Sequence, residues 1–207
     1  MGRFYAKLFA KYYDKYMVSF EKKIEKDRER MLNKLNGTVL DVGSGTGVNF
    51  EYFNDKVKVF AVEPSKPMLD KSIQKINNKN IELVNFDIND EKLHDKISEN
   101  SLDAIVSTLV LCTVKNPDKA IDNFKKWLKP DGKLIIIEHI HSNEKSKARI
   151  ETLLNPLWKI FAEGCNLTRH TDELIKSRGF TPLEEHYFKI GLRMHKGIFV
   201  LNKKKTV

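Results

Sequence analysis

Between residues 39 and 53 an apolar run, Val39-Leu40, leads into Asp41-Val42-Gly43-Ser44-Gly45-Thr46-Gly47 and out through Val48-Asn49-Phe50-Glu51-Tyr52-Phe53. The first piece reads as a strand and the last as a helix, with the glycines as the tight turn between them. A strand that turns straight into a helix through glycines leaves backbone N–H groups for a polar or anionic ligand. Sixteen residues past Gly47, the apolar segment Val57–Val62 ends in Glu63. An acid at the tip of a second strand suits a ribose, whose two hydroxyls both donate to one carboxylate. Together these features predict a nucleoside-cofactor site in a doubly wound sheet.

The rest of the chain repeats the alternation. Strands are expected at 38–42, 57–62, 81–86, 102–107 and 133–139, with helices near 47–54, 66–77, 90–98 and 117–128. Alternation of this kind builds βαβ units and a parallel sheet covered on both faces. The continuous apolar runs Ala104-Ile105-Val106 and Leu134-Ile135-Ile136-Ile137 agree, because such strands are buried on both sides. Pro130-Asp131-Gly132 is a turn signal before the fifth strand, and Thr181–Phe188 with Gly197–Asn202 reads as a closing β pair. The expected architecture is three-layer α/β, a doubly wound sheet of seven strands, mostly parallel with the last antiparallel.

The N-terminal segment carries a different pattern. Tyr5, Leu8, Phe9, Tyr12, Tyr13, Tyr16, Met17 and Phe20 recur at steps of three and four, and Lys7, Lys11 and Lys15 lie off that stripe. Residues 1–36 therefore read as an amphipathic helical extension that folds back as a lid or docking element over a domain of residues 37–207. Peripheral contact with an anionic membrane is the alternative use of such a helix.

A chain of 207 residues with 41% hydrophobic and 31% charged residues fits a single globular domain. No apolar run reaches the roughly 18–20 residues that span a bilayer. Lys7, Lys11, Asp14 and Lys15 interrupt any signal-peptide core, and two cysteines are too few for a disulfide framework, so a cytoplasmic protein is expected. The net charge of +9 reads as lysine spread over a solvated surface more than as a nucleic-acid site, with Lys203-Lys204-Lys205 a solvated tail. No metal is expected.

The glycine spacing is G-x-G-x-G rather than the G-x-G-x-x-G of dinucleotide-binding domains, and Asp41 stands two residues ahead of it. This resembles the first motif of class I S-adenosylmethionine-dependent methyltransferases, and later segments match that family in order. Glu63 with Pro64 and Met68, Phe86-Asp87-Ile88, Leu102–Ser107 and Leu128-Lys129-Pro130-Asp131-Gly132-Lys133-Leu134 correspond to its successive motifs over roughly residues 37 to 202. The resemblance implies a Rossmann-like methyltransferase fold that takes S-adenosylmethionine and releases S-adenosylhomocysteine. It implies that Gly43, Ser44 and Gly45 approach the cofactor through backbone and that Asp41 holds its amino-acid end. Glu63 would take the ribose, Pro64 and Met68 the adenine face, Asp87 and the Ile88 N–H the adenine edge. Ser107 and Thr108 would lie where the methyl is delivered.

Residues just past the fourth strand bear on the acceptor. Ser107-Thr108-Leu109-Val110-Leu111-Cys112 lacks both the Asn/Asp-Pro-Pro-Tyr/Phe signature of amino-group methylases and the Pro-Cys of cytosine methylases. Cys112 then reads as a small buried hydrophobe rather than a nucleophile, and nucleic acid gives way to a small lipophilic acceptor. Thr108–Asn116, Glu138-His139, Asn155-Pro156-Leu157-Trp158 and Gly164-Cys165-Asn166-Leu167-Thr168-Arg169 resemble the animal thiol S-methyltransferases of the methyltransferase-like group. That resemblance implies in-line S-methylation of a small thiol. Phospholipid N-methylation and quinone C-methylation are the alternatives, ahead of a non-catalytic cofactor-binding or RNA-binding protein. A thiol must ionise from a pKa near 8.5, so His139 and His170 are the candidate catalytic bases. Arg169 would orient an anionic acceptor or pair with Asp172, and Cys165 and Asn166 would shape the pocket.

Overall fold

The computed structural model describes residues 3–77 and 79–202; the basic tail at 203–205 lies outside them. A single long helix, α1 (Arg3–Leu32), precedes the sheet. Strands β1 (Gly37–Val42), β2 (Val57–Val62), β3 (Ile81–Val84), β4 (Leu102–Thr108) and β5 (Leu128–Ile140) come next, with α2 (Lys66–Ser72) and α3 (Pro117–Trp127) among the crossovers. Two further helices, α4 (Lys145–Phe161) and α5 (Thr171–Ser177), lead to β6 (Phe180–Ile190) and β7 (Leu192–Leu201).

The strand order is β3-β2-β1-β4-β5-β7-β6, with β1 to β5 parallel and β7 antiparallel to both of its neighbours. Strand order reverses between β1 and β4, and ligands of open α/β sheets bind in the crevice that such a switch point opens. The register places Val42 beside Val62 on one side and Ser107 on the other. The glycine turn therefore emerges between the ends of β2 and β4.

Alternation along each strand sends neighbouring residues to opposite faces. Leu40, Val42, Val62 and Ile105 pack with Phe124 and Trp127 of α3, while Val39, Val59, Ala61 and Val106 pack with Ile24, Met31 and Leu32 of α1. Each such fully buried side chain contributes about 1.5–3 kcal/mol, which explains why the strands read as unbroken apolar runs. The aromatic stripe of α1 splits in two: Tyr5, Phe9, Tyr13, Met17 and Phe20 are half-buried, whereas Leu8, Tyr12 and Tyr16 face solvent.

Several expected helices are shorter than their patterns. The segment 47–54 forms turns and a single 3-10 stretch, Phe50–Tyr52, because Lys79 Nζ takes the carbonyls of Phe50, Glu51 and Phe53 at 2.9, 2.8 and 2.5 Å in place of helical N–H groups. Residues 90–98 hold only the 3-10 turn Glu91–Asp95, capped by Asp90, and 66–77 holds α2 with a 3-10 stretch at Ile73–Lys75 after it. The fifth strand begins at Leu128, with its pairing to β4 interrupted by a bulge around the Pro130 turn.

Helices α4 and α5 have no counterpart among the elements expected from sequence. In α4 the polar residues Glu151 and Asn155 point inward, and Ile150, Leu153, Leu154, Leu157, Ile160 and Phe161 are exposed. Glu151 Oε2 accepts from the Ser142 N–H at 2.8 Å and Asn155 Oδ1 from the Leu167 N–H at 2.9 Å, so these buried polar groups anchor flanking loops.

Candidate cofactor and acceptor site

Gly43 and Gly45 have left-handed backbone, with φ of +57° and +56°. A Cβ at Gly43 would stand 2.6 Å from Val110 Cγ1, so glycine lets the loop after β4 close directly onto the turn. Three of the turn's amides have partners within the protein: Ser44 N–H donates to the Val62 carbonyl at 3.1 Å, Gly47 N–H to the Ser44 carbonyl at 2.8 Å, and Gly45 N–H to Glu63 Oε2 at 3.0 Å. Only a short 3-10 stretch succeeds the turn, so it lacks the long-helix N-terminus expected to present free amides. The polar capacity instead lies in side chains.

Asp41 is fully buried at the end of β1, where Oδ1 accepts from Asn49 Nδ2 at 2.6 Å and Oδ2 has no partner. Asn49 in turn accepts from Arg28, which bonds Glu21 at 2.5 Å, so a polar chain runs from α1 to the sheet. Burial pushes the Asp41 carboxyl up to about 7, against the opposing pull of Asn49 and Arg28. Burial likewise raises Glu63 to about 7, although the N–H groups of Ser65 and Gly45 favour its charged form. Ser44 Oγ is a second buried atom without a partner.

Met68 is buried beside the turn, and its Cε lies 3.6 Å from where a Gly45 Cβ would be. Pro64 is exposed at the rim. Asp87 Oδ1 accepts the Asn89 N–H at 2.9 Å in a local turn, and Ile88 is buried next to it.

Helix α1 lies across this end of the sheet. Thr46 Oγ1 donates to Asp14 at 2.5 Å, Lys71 Nζ donates to the Ala10 carbonyl at 2.8 Å, and Tyr5 Oη donates to the Phe161 carbonyl at 2.7 Å. Tyr13 is half-buried on α1, and loss of hydration raises its phenol well above the ordinary range.

On the far side, Ser107 is buried and its hydroxyl donates to Glu138 Oε1 at 2.7 Å, while Thr108 is half-buried at the strand end. The same Glu138 oxygen accepts the N–H groups of Val110 and Leu111, both at 3.0 Å. From the other direction Arg169 Nη1 donates to the carbonyls of Leu111 and Val114, the latter at 2.8 Å. Leu109 is left-handed at φ +59°, a strain of about 1–2 kcal/mol, and these two residues hold the loop that carries it. Arg169 thus clamps backbone; it bonds neither Asp172 nor an outward-facing position. In the sequence Glu138 stands out only through the family resemblance, and no spacing points to its role.

His139, expected as a base, is buried with Nε2 at 2.9 Å from Cys165 Sγ, and Cys165 Sγ stands 3.7 Å from Cys112 Sγ. The neighbouring Cys112 thiol holds Cys165 far below the ordinary thiol range, with His139 adding to it against burial. Burial alone would lower the His139 imidazole, and the Cys165 sulfur reverses that and raises it. Cys112 is buried, and its sulfur, the Cys165 sulfur and a His139 ring nitrogen all lie within 4.8 Å of one another. His170 is not among them: it is exposed, with Nε2 3.3 Å from His141 Nδ1.

A doubly wound sheet with an acid-flanked glycine turn at its switch point defines a nucleoside-cofactor enzyme of the methyltransferase type. Residues 13–185 match a family model described as a methyltransferase domain, and the chain belongs to the S-adenosylmethionine-dependent methyltransferases. It is 32% identical over 176 residues to thiol S-methyltransferase TMT1B of Rattus norvegicus, covering 80% of this chain and 72% of that protein. It is 24% identical over 142 residues to phosphatidylethanolamine N-methyltransferase of Cereibacter sphaeroides, covering 67% and 70%. In fold it is similar to Burkholderia thailandensis 1,6-didemethyltoxoflavin-N1-methyltransferase, crystallised with 1,6-didemethyltoxoflavin and S-adenosylhomocysteine. That match has a TM-score of 0.67 at 15% identity, covering 96% of this chain and 87% of the other. The unpartnered Asp41 Oδ2 and Ser44 Oγ, beside the side-chain-free Gly43, fit a cationic, polar cofactor of this kind.

Proposed function

We propose that this methyltransferase acts on a small thiol. The observation that carries the reading is the 32% identity to a thiol S-methyltransferase over four-fifths of the chain. The apolar loop 109–112, which offers no array of polar side chains for a base or amide, supports it. Bound at the switch point, S-adenosylmethionine supplies an electrophilic sulfonium methyl, and placement of the acceptor in line provides most of the acceleration. Asp41 Oδ2 would hold the amino-acid end, with Gly43, Ser44 and Gly45 backing it. Glu63 retains acceptor capacity for the ribose beyond its two amide bonds. Met68 and Pro64 would line the adenine, with Asp87 and Ile88 at its edge. Ser107 acts through Glu138 to set the acceptor loop, and Thr108 stands at the point of transfer. Helix α1 would close over the cofactor as a lid through Asp14 and Tyr13.

Transfer of labelled methyl to a panel of small thiols, amines, quinones and phosphatidylethanolamine vesicles tests the reading. Methylation of thiols is expected; a preference for amine or lipid overturns it. Phospholipid N-methylation is the second reading, favoured by the exposed Phe4, Leu8, Tyr12 and Tyr16 of α1 and by the exposed apolar residues of α4. Those rows, flanked by Lys7, Lys11, Lys15 and Lys159, suit peripheral docking on an anionic bilayer. Among the described residues no helix is long and apolar enough to cross a membrane. Co-sedimentation with anionic vesicles is expected, and its absence removes both the membrane contact and the lipid reading.

A further inference from the structure

We propose that Cys112, His139 and Cys165 form a three-ligand Zn2+ site whose fourth position takes the acceptor sulfur; its catalytic part rests on the thiol reading above. Two cysteines and one histidine with an open position are a donor set used by catalytic zinc. The three ligand atoms lie within 4.8 Å of one another and all three residues are buried. Two thiolates on a tetrahedral zinc, each about 2.3 Å from the ion, stand roughly 3.8 Å apart, and the Cys112 and Cys165 sulfurs are 3.7 Å apart. The His139 to Cys165 separation of 2.9 Å would have to open toward roughly 3.5 Å, a shift of a few tenths of an ångström for each side chain.

The ligands come from three elements. His139 lies on β5 between β4 and β7, paired with Met194 of β7. Cys112 is on the loop clamped by Glu138 and Arg169, and its carbonyl accepts the Asn166 N–H at 3.0 Å, which ties that loop to the one bearing Cys165. Glu138, the neighbouring carboxylate, gives Oε1 to Ser107 and two backbone amides, and its buried Oε2 has no partner. The two cysteines are free thiols, so no disulfide accounts for their approach.

The site also supplies what the mechanism otherwise lacks, a way to ionise the acceptor. An alkyl thiol R–SH that binds zinc loses its proton to solvent and remains as a coordinated thiolate. A sulfur lone pair then forms the new S–CH3 bond as the methyl–sulfonium bond breaks. Both products are neutral thioethers at sulfur, and the weakly ligating R–S–CH3 leaves the ion. Val110, two positions before Cys112 on the same loop, packs against the glycine turn at Gly43.

The test uses the full chain without a histidine tag. Metal analysis after purification in the absence of chelator is expected to find about one zinc per chain. After the zinc is removed, Co2+ titration is expected to give the sulfur-to-metal charge-transfer and visible bands of a tetrahedral thiolate site. Cys112→Ser, Cys165→Ser and His139→Ala should each lose zinc and the cobalt bands, with circular dichroism reporting whether each is folded. Wild-type protein that carries no zinc and binds neither Zn2+ nor Co2+ overturns the site, whatever the variants do. Adding a small alkyl thiol should shift the cobalt bands. Bands that appear but do not respond to thiol keep the metal site and overturn its acceptor role. Methyl transfer to thiols by metal-free protein at the full rate overturns the acceptor role while leaving the thiol reading intact.

Discussion

Thr46, in the glycine turn, donates its hydroxyl to Asp14 of α1 at 2.5 Å, so the N-terminal helix is bonded directly to that turn. Burial would raise the Asp14 carboxyl, but the Thr46 hydroxyl, Lys75 and Lys71 outweigh it and hold it below the ordinary range. It is an ionised anchor across neutral pH.

Removing that charge should loosen α1. In Asp14→Asn, loss of a charge-assisted bond worth about 1 kcal/mol corresponds to roughly a fivefold faster release of S-adenosylhomocysteine. Stopped-flow dissociation measures it, and an unchanged rate would rule out α1 as a lid.

Two buried carboxyls at the site make folding and cofactor binding respond to pH in opposite directions. Asp41 and Glu63 are raised by burial to about 7 in the folded chain, from about 3.9 and 4.3 in unfolded chains. Between about pH 4 and 7 the folded state therefore binds more protons than the unfolded one. Their contribution to stability is fully present below the unfolded values and is lost as pH rises through about 7. Denaturant midpoints of the cofactor-free protein should fall over this window, and the Asp41→Asn/Glu63→Gln double variant should flatten the slope. A cationic cofactor favours the ionised forms, so its affinity should rise from about pH 6 to 8. Calorimetry showing a pH-independent Kd would remove both carboxyls from the binding site.

Gly43→Ala combines two costs: a left-handed alanine, about 1–2 kcal/mol, and a Cβ driven into Val110, about 1–3 kcal/mol. Adding Val110→Ala should recover only the second part. Urea unfolding distinguishes the two, and a Gly43→Ala protein as stable as the parent would contradict the close approach.

Arg169→Ala leaves the Leu111 and Val114 carbonyls without their donor and should cost about 1–3 kcal/mol of stability. Arg169→Lys should rescue it only in part, because an ammonium lacks the planar fork. Hydrogen exchange should show the loss concentrated in residues 109–114; protection unchanged there would mean that the clamp is not what holds Leu109 in its strained backbone.

Much of the architecture is legible in the sequence because strand burial and glycine turns are local. The five parallel strands follow from two-sided apolar runs, and Glu63 from its place after Val62. The patterns at 47–54 and 90–98 suggest more helix than forms, since Lys79 and Asp90 satisfy those backbone groups without a full helix. Helix α4 escapes a sequence reading because its apolar residues face outward and its buried face is polar. Periodicity reports that a face exists, and says nothing of which side the core lies on.

Local patterning is enough for the chain to declare a doubly wound sheet and a cofactor turn flanked by Asp41 and Glu63, because each of those signals lies within a few residues of sequence. The acceptor side needs the tertiary structure. Glu138 reaches back 31 residues to Ser107, Arg169 reaches 58 to Leu111, and Cys165 meets Cys112 across 53. Contacts at such separations are set by strand order and loop packing, so no spacing in the chain encodes them.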